Sequence, residues 1–212
     1  MTSIDEIMRL SPVIPLLTIH DVAHARPIGE ALVGGGLRVL EVTLRTPAAL
    51  KAIGELRRIE GAVVGAGTVV EESQLDDCLS AGAQFAVSPG LTQPLAARAF
   101  LRRIPYLPGA ATASDIMRGL DVGVTRFKFF PAEFSGGRAA LTALSAPFGG
   151  VRFCPTGGIR EESAPEWLEL PQVLCVGGSW LVPQGAPDLS AIEAAASRAS
   201  SLRPQIGEAP SP

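Results

Sequence analysis

Eight short apolar runs, each followed by a longer segment of helical composition, punctuate this chain from end to end. The runs lie near 13–19, 39–45, 63–69, 85–88, 106–108, 126–130, 152–156 and 173–177. Between them fall segments such as PAALKAIGELRRIE, EESQLDDCLSAG, TQPLAARAFLRR and TASDIMRGLDVG, several opened by Thr, Ser or Pro and closed by Gly. A strand–helix unit repeated about every 20–25 residues makes successive strands parallel, because parallel neighbours need a crossover of a dozen or more residues. Eight such units in 212 residues predict a compact α/β fold, a (β/α)8 barrel. A doubly wound open sheet is the competing architecture, but it rarely uses eight even units in so short a chain, and no GxGxxG follows the first run. The segment AIEAAASRASSL reads as a last helix and RPQIGEAPSP, 203–212, as a flexible tail. No linker or composition shift divides residues 1–202, which are expected to form one barrel domain with a short N-terminal helix.

Composition removes several function classes. The 18 basic and 21 acidic side chains leave a net charge of −3, and no basic run exceeds a pair. With 8 Phe, 2 Trp and 1 Tyr, the chain lacks the charged stripe and stacking platform of a nucleic-acid binder. Cys78, Cys154 and Cys175 are too widely spaced for a legible disulfide framework or metal knuckle, and point to a reducing cytoplasm. The N-terminus carries Asp5, Glu6 and Arg9 before its short apolar run, unlike a secretory leader, and no apolar stretch approaches the length of a membrane span. A soluble protein without membrane or nucleic-acid partners is expected.

Polar residues inside apolar strands are where chemistry is sought, since barrel active sites form where strands end and the following loops begin. In VLEVTLR, Leu40, Val42 and Leu44 share one face while Glu41, Thr43 and Arg45 share the other. If the apolar set faces the helices, a carboxylate and a guanidinium point into the barrel, either as a site or as a structural ion pair. Lys128 lies between Phe127 and Phe129, whose parity turns it inward. Only Lys51 and Lys128 are lysines, and a chain that otherwise uses arginine has placed one of them in an apolar strand. Desolvation, and a neighbouring Arg45 or Arg126, favour the free amine that attacks carbonyls. The alternative is a lysine snorkelling from the strand end to solvent, three residues before Pro131. Glycine pairs follow the last two runs, in TGGI (156–159) and VGGSW (176–180), where barrels bind phosphate through backbone N–H groups and a following helix N-terminus; glycine pairs also serve simply as turns.

RVLEVTLRT (38–46), VGAGTV (64–69), SPGL (88–91), PGAAT (108–112), FKFFPAE (127–133), FCPTGGI (153–159) and GGSWLVP (177–183) together resemble the 2-keto-3-deoxy-6-phosphogluconate aldolases, a family that includes 4-hydroxy-2-oxoglutarate aldolase activity. The resemblance covers nearly the whole chain and implies a single (β/α)8 TIM barrel of class I aldolase type. It further implies a cytoplasmic homotrimer in the Entner–Doudoroff pathway, and Schiff-base cleavage to pyruvate and glyceraldehyde 3-phosphate with neither cofactor nor metal. By the same resemblance Lys128 forms the imine and Glu41 is the acid/base. Arg45 and Thr68 hold the substrate carboxylate; Pro89, Phe130 and Thr156 line the reacting carbons; Gly157, Gly158, Gly178 and Ser179 bind the distal phosphate. Ala110 and Ala111 depart from the family, where larger or polar residues are common.

Other chemistry-bearing residues have plainer readings. His20 and His24 could share a helix face, but no third metal ligand is legible nearby, and capping or surface roles suffice. Trp167, Trp180, Cys154 and Cys175 read as packing residues, and Glu161 and Glu162 as a helix start. A metal-dependent aldolase or lyase, a phosphosugar isomerase on the same barrel, and a catalytically silent phospho-ligand-binding barrel are the rival functions.

Overall fold

The computed structural model describes residues 2–183 and 185–202; the expected tail at 203–212 lies outside them. The apolar runs become β1 (Val13–Leu17), β2 (Val39–Thr43), β3 (Val63–Gly67), β4 (Phe85–Val87), β5 (Tyr106–Leu107), β7 (Arg126–Phe129), β8 (Arg152–Pro155) and β9 (Val176–Gly178), and a further short strand, β6 (Gly109–Ala110), lies just past the fifth run. The helical segments become α2 (Ala25–Gly34), α3 (Ala49–Leu56), α4 (Glu72–Ser80), α5 (Gln93–Leu101), α6 (Ala113–Asp121), α7 (Gly137–Ser145), α8 (Ala164–Leu168) and α9 (Leu189–Ser200), after a leading α1 (Ile4–Arg9).

All ladders among the described residues are parallel. One sheet runs β5-β4-β3-β2-β1-β9 and a second β6-β7-β8. Bridges Phe153–Val173 and Thr156–Gly177 join the second sheet to the β9 edge. On the other side β5 and β6 are halves of one stave divided at Pro108: the first half pairs with β4, the second with β7. Proline has no N–H to offer the β4 ladder, while its carbonyl still accepts from the Lys128 N–H at 2.8 Å. The result is a closed barrel of eight staves, as expected, with the fifth in two pieces.

Two apolar cores follow from strand alternation. Residues facing the helices, including Leu40, Val42, Phe127, Phe129 and Phe153, form the larger core. The barrel interior is filled by Ile14, Val39, Phe85, Val87, Leu107, Cys154, Leu174 and Cys175, and the α1 side chains Ile7 and Met8 close its N-terminal end. Ser3 and Glu6 satisfy each other's backbone N–H groups in a capping box that starts α1, and Asp5 pairs with Arg126 at the foot of β7. The fill makes the barrel a solid support, leaving polar groups to the opposite mouth. Trp167 is fully buried and packs against Phe129 with ring centroids 6.3 Å apart. The acidic pair expected at a helix start sits instead in the turn before α8, where Glu161 pairs with Arg198 of α9.

Candidate active site

β2 and β7 are diametrically opposite staves, and their inward side chains meet across the interior. Lys128 Nζ donates to Glu41 Oε1 at 3.0 Å, and the two residues are only 5% and 3% exposed. Lys128 therefore does not snorkel to solvent. Two charges so far from water are costly unless paired and hydrogen-bonded. Among the described residues Glu41 is the one hydrogen-bond partner of Nζ, and the Phe130 ring lies 5.6 Å from it, within cation–π reach. The remaining ammonium donors are free for a ligand.

A cleft of about 110 Å³ opens over this pair, lined by Leu16, Arg45, Thr68, Pro89, Lys128 and Phe130. Arg45 was expected within the second strand, but β2 ends at Thr43 and Arg45 stands exposed in the turn above it. From there its guanidinium can fork onto a planar carboxylate. Thr68, one residue past β3, has φ +63°, a costly conformation for a β-branched residue and of the kind that clusters at functional sites. Pro89 is held by its neighbour: Ser88 Oγ donates to the Gly90 carbonyl at 2.6 Å and meets the Tyr106 hydroxyl at 2.6 Å. Arg126, the second guanidinium expected near Lys128, is at the other end of the barrel with Asp5 and the Gly150 carbonyl. It starts its strand two residues before Lys128 and so lies at the foot.

Thr156, Gly157 and Gly158 follow β8, and Gly178 and Ser179 end β9 and begin its loop, so the two glycine pairs are neighbours at the same mouth. Gly157 and Gly158 have φ of +103° and +82°, and a Cβ on Gly158 would lie 2.7 Å from the Glu133 side chain. Both facts demand glycine. Among the described residues no helix starts directly behind these loops, since α8 begins at Ala164 and α9 at Leu189, and backbone N–H groups and Ser179 are what the loops themselves offer an anion. Larger cavities lie beside α5 at the N-terminal end, by Ile104 and Pro105, away from Lys128 and Glu41. Among the described residues no group of three His, Cys, Asp or Glu side chains is placed to hold a metal ion.

Gly67 carries a role that residue-type reasoning missed. A Cβ there would stand 2.1 Å from Glu41 Oε1, so the carboxylate rests directly on the β3 backbone. The signal was present in VGAGT, two same-face glycines inside a strand, which mark a close approach. Gly177 serves Thr156 likewise, at 2.3 Å from its Oγ1.

The family model for KDPG and KHG aldolase matches residues 4–195. A 2-dehydro-3-deoxy-phosphogluconate aldolase of Zymomonas mobilis is 56% identical over 203 residues, 96% of this chain and 98% of that protein. This chain belongs to the KDPG and KHG aldolase family. The aldolase is also similar in structure to its solved relatives. The crystal structure of the Zymomonas mobilis ZM4 2-keto-3-deoxy-6-phosphogluconate aldolase with 3-phosphoglycerate superposes with a TM-score of 0.95 at 55% identity, covering 98% of this chain and 100% of the other. KDPG aldolase from Legionella pneumophila, with pyruvate captured as a covalent carbinolamine intermediate, superposes with a TM-score of 0.91 at 45% identity, covering 94% and 99%.

Proposed function

We propose that this aldolase works through a lysine imine, cleaving 2-dehydro-3-deoxy-6-phosphogluconate to pyruvate and D-glyceraldehyde 3-phosphate, and 4-hydroxy-2-oxoglutarate to pyruvate and glyoxylate. The observation that carries this reading is the 3.0 Å contact between Lys128 Nζ and Glu41 Oε1 under a cleft floored by the lysine. A free amine must attack the keto carbon, and passing a proton to the adjacent carboxylate produces one without exposing either group to water. The Lys128 nitrogen adds to C2, giving a carbinolamine whose hydroxyl takes the proton held by Glu41 and leaves as water, so that a protonated imine and a Glu41 carboxylate result. Glu41, as carboxylate, takes the C4 hydroxyl proton while the C3–C4 electron pair moves into the iminium. The aldehyde leaves, an enamine remains, and protonated Glu41 returns the proton to C3. Water then hydrolyses the pyruvate imine and restores the amine.

Around this pair, Arg45 and Thr68 bind the substrate carboxylate, and Pro89, Phe130 and Thr156 bound the reacting carbons. Gly157, Gly158, Gly178 and Ser179 receive the distal phosphate through backbone N–H groups and a hydroxyl. No cofactor or metal enters any step. The barrel comprises residues 1–202, works as a homotrimer in the cytoplasm, and serves the Entner–Doudoroff pathway; this part of the proposal rests on the family resemblance. Purified protein given 2-dehydro-3-deoxy-6-phosphogluconate should release pyruvate and triose phosphate one for one, equally with and without EDTA. Activity that needs an added divalent cation would overturn the imine reading in favour of metal-dependent cleavage.

A further inference from the structure

One hydroxyl pair at the barrel mouth has no part in the reaction just described. The β1–β2 register aligns Leu16 with Glu41 and Leu17 with Val42, which brings Thr18 beside Thr43. Their Oγ1 atoms are 3.0 Å apart. Thr43, 1% exposed, also donates from Oγ1 to the Leu17 carbonyl at 3.1 Å. A threonine hydroxyl has one proton. With Thr43's directed to Leu17, the proton between the pair belongs to Thr18, and the oxygen of Thr18, an exposed residue, keeps its lone pairs to accept another donor. The chain thus fixes an acceptor, not an interchangeable donor, in a run, VIPLLTI, that is otherwise apolar apart from its proline.

The place of this acceptor along the substrate follows from the topology. Leu16 lines the cleft beside Lys128, and Thr18 continues the same face of the strand about 6.6 Å nearer the mouth. β1 lies between β2, which carries Glu41, and β9, which ends in Gly178. If the C4 oxygen is at Glu41 and the C6 phosphate at the glycine loops, the group passing the end of β1 is the C5 hydroxyl, a donor facing an acceptor. We propose that Thr18, oriented by Thr43, is a specificity-determining residue that accepts a hydrogen bond from the C5 hydroxyl of the phosphorylated substrate. The assignment rests on the imine reading above and adds what the site recognises between the cleaved bond and the phosphate.

The test runs the reaction in the direction of synthesis, at saturating pyruvate, with two acceptors: D-glyceraldehyde 3-phosphate, whose C2 hydroxyl becomes the C5 hydroxyl, and 3-phosphooxypropanal, which lacks it. Thr18→Val should lower the kcat/KM ratio of the first acceptor over the second by about 2- to 12-fold, the span of one neutral hydrogen bond. Thr18→Ser, which keeps the hydroxyl, should restore the ratio. An unchanged ratio in Thr18→Val, or a parallel loss on both acceptors, would overturn the assignment. Borohydride trapping of pyruvate in the unmodified enzyme is run alongside: its failure would refute the imine reading itself, whereas its success with an unchanged ratio refutes Thr18 alone.

Discussion

The seat of Glu41 can be tested by adding one methyl group. In Gly67→Ala the new Cβ would meet Glu41 Oε1 at 2.1 Å and its Cγ and Cδ at 2.7 Å, where ordinary contact begins near 3.4 Å. The carboxylate must therefore retreat by about 1 Å, and the 3.0 Å hydrogen bond from Lys128 Nζ cannot survive that displacement unaltered. The atoms that move belong to one side chain, so the β3 backbone can stay and the barrel should remain folded. A misplacement of about 1 Å at a reacting group costs on the order of 100-fold in rate. The expected result is a kcat for 2-dehydro-3-deoxy-6-phosphogluconate cleavage lowered by about 100-fold, with a thermal midpoint within a few degrees of the parent. Activity within a factor of about three of the parent, in a folded variant, would refute the claim that the β3 backbone positions the acid/base.

Glu41→Gln keeps the shape of the side chain and removes its proton chemistry, so turnover should fall by about 10²–10⁴-fold while borohydride still traps pyruvate; full turnover would assign the proton transfer to another group. Gly158→Val places a branched side chain at φ +82° and against Glu133, and should depress kcat/KM for the phosphorylated substrate far more than for 4-hydroxy-2-oxoglutarate, which has no phosphate. Equal losses on the two would make the glycine a turn residue only. At the other end of the barrel, burial raises the Asp5 pKa, but hydrogen bonds and charge from Arg9 and Arg126 outweigh it and hold the carboxyl below its usual value. A depressed carboxyl stabilises the folded chain above its unfolded pKa and loses that contribution as pH falls through the folded one. Urea midpoints of the parent should thus decline more between pH 5 and pH 3 than those of Asp5→Asn, and parallel declines would show that the Asp5–Arg126 contact contributes nothing.

Strand parity carried the sequence reading furthest. The flanking phenylalanines turned Lys128 inward, Leu40 and Val42 did the same for Glu41, and both residues are buried where those patterns pointed. Parity says which face a side chain takes, not at what height in the barrel it stands. For that reason Arg126, with the same parity as Lys128, was expected near the amine and lies instead with Asp5 at the foot. Arg45 erred in the other direction, because the ladder stops at Thr43 and the turn lifts the guanidinium to the rim. The Lys128–Glu41 contact spans opposite staves and depends on closure and register, which no local pattern encodes. Positions whose requirement is an absent atom, as at Gly67 beneath Glu41, are visible in sequence only as unexplained glycines inside a strand. The split of the fifth stave was foreshadowed by Pro108, yet which half pairs with which neighbour is decided by the sheet as a whole.

In the proposed mechanism one buried lysine forms the covalent link to substrate, and the chain's composition makes that link unusually clean to examine, since Lys51 and Lys128 are its only lysines. Lys51 is exposed on α3, whereas Lys128 floors the cleft against Glu41. Treating the protein with pyruvate and sodium borohydride, digesting it and mapping the adduct by mass spectrometry should find one reduced pyruvyl group per chain, on the peptide containing Lys128. An adduct on Lys51, or a protein that turns over substrate yet yields no adduct, would contradict the account.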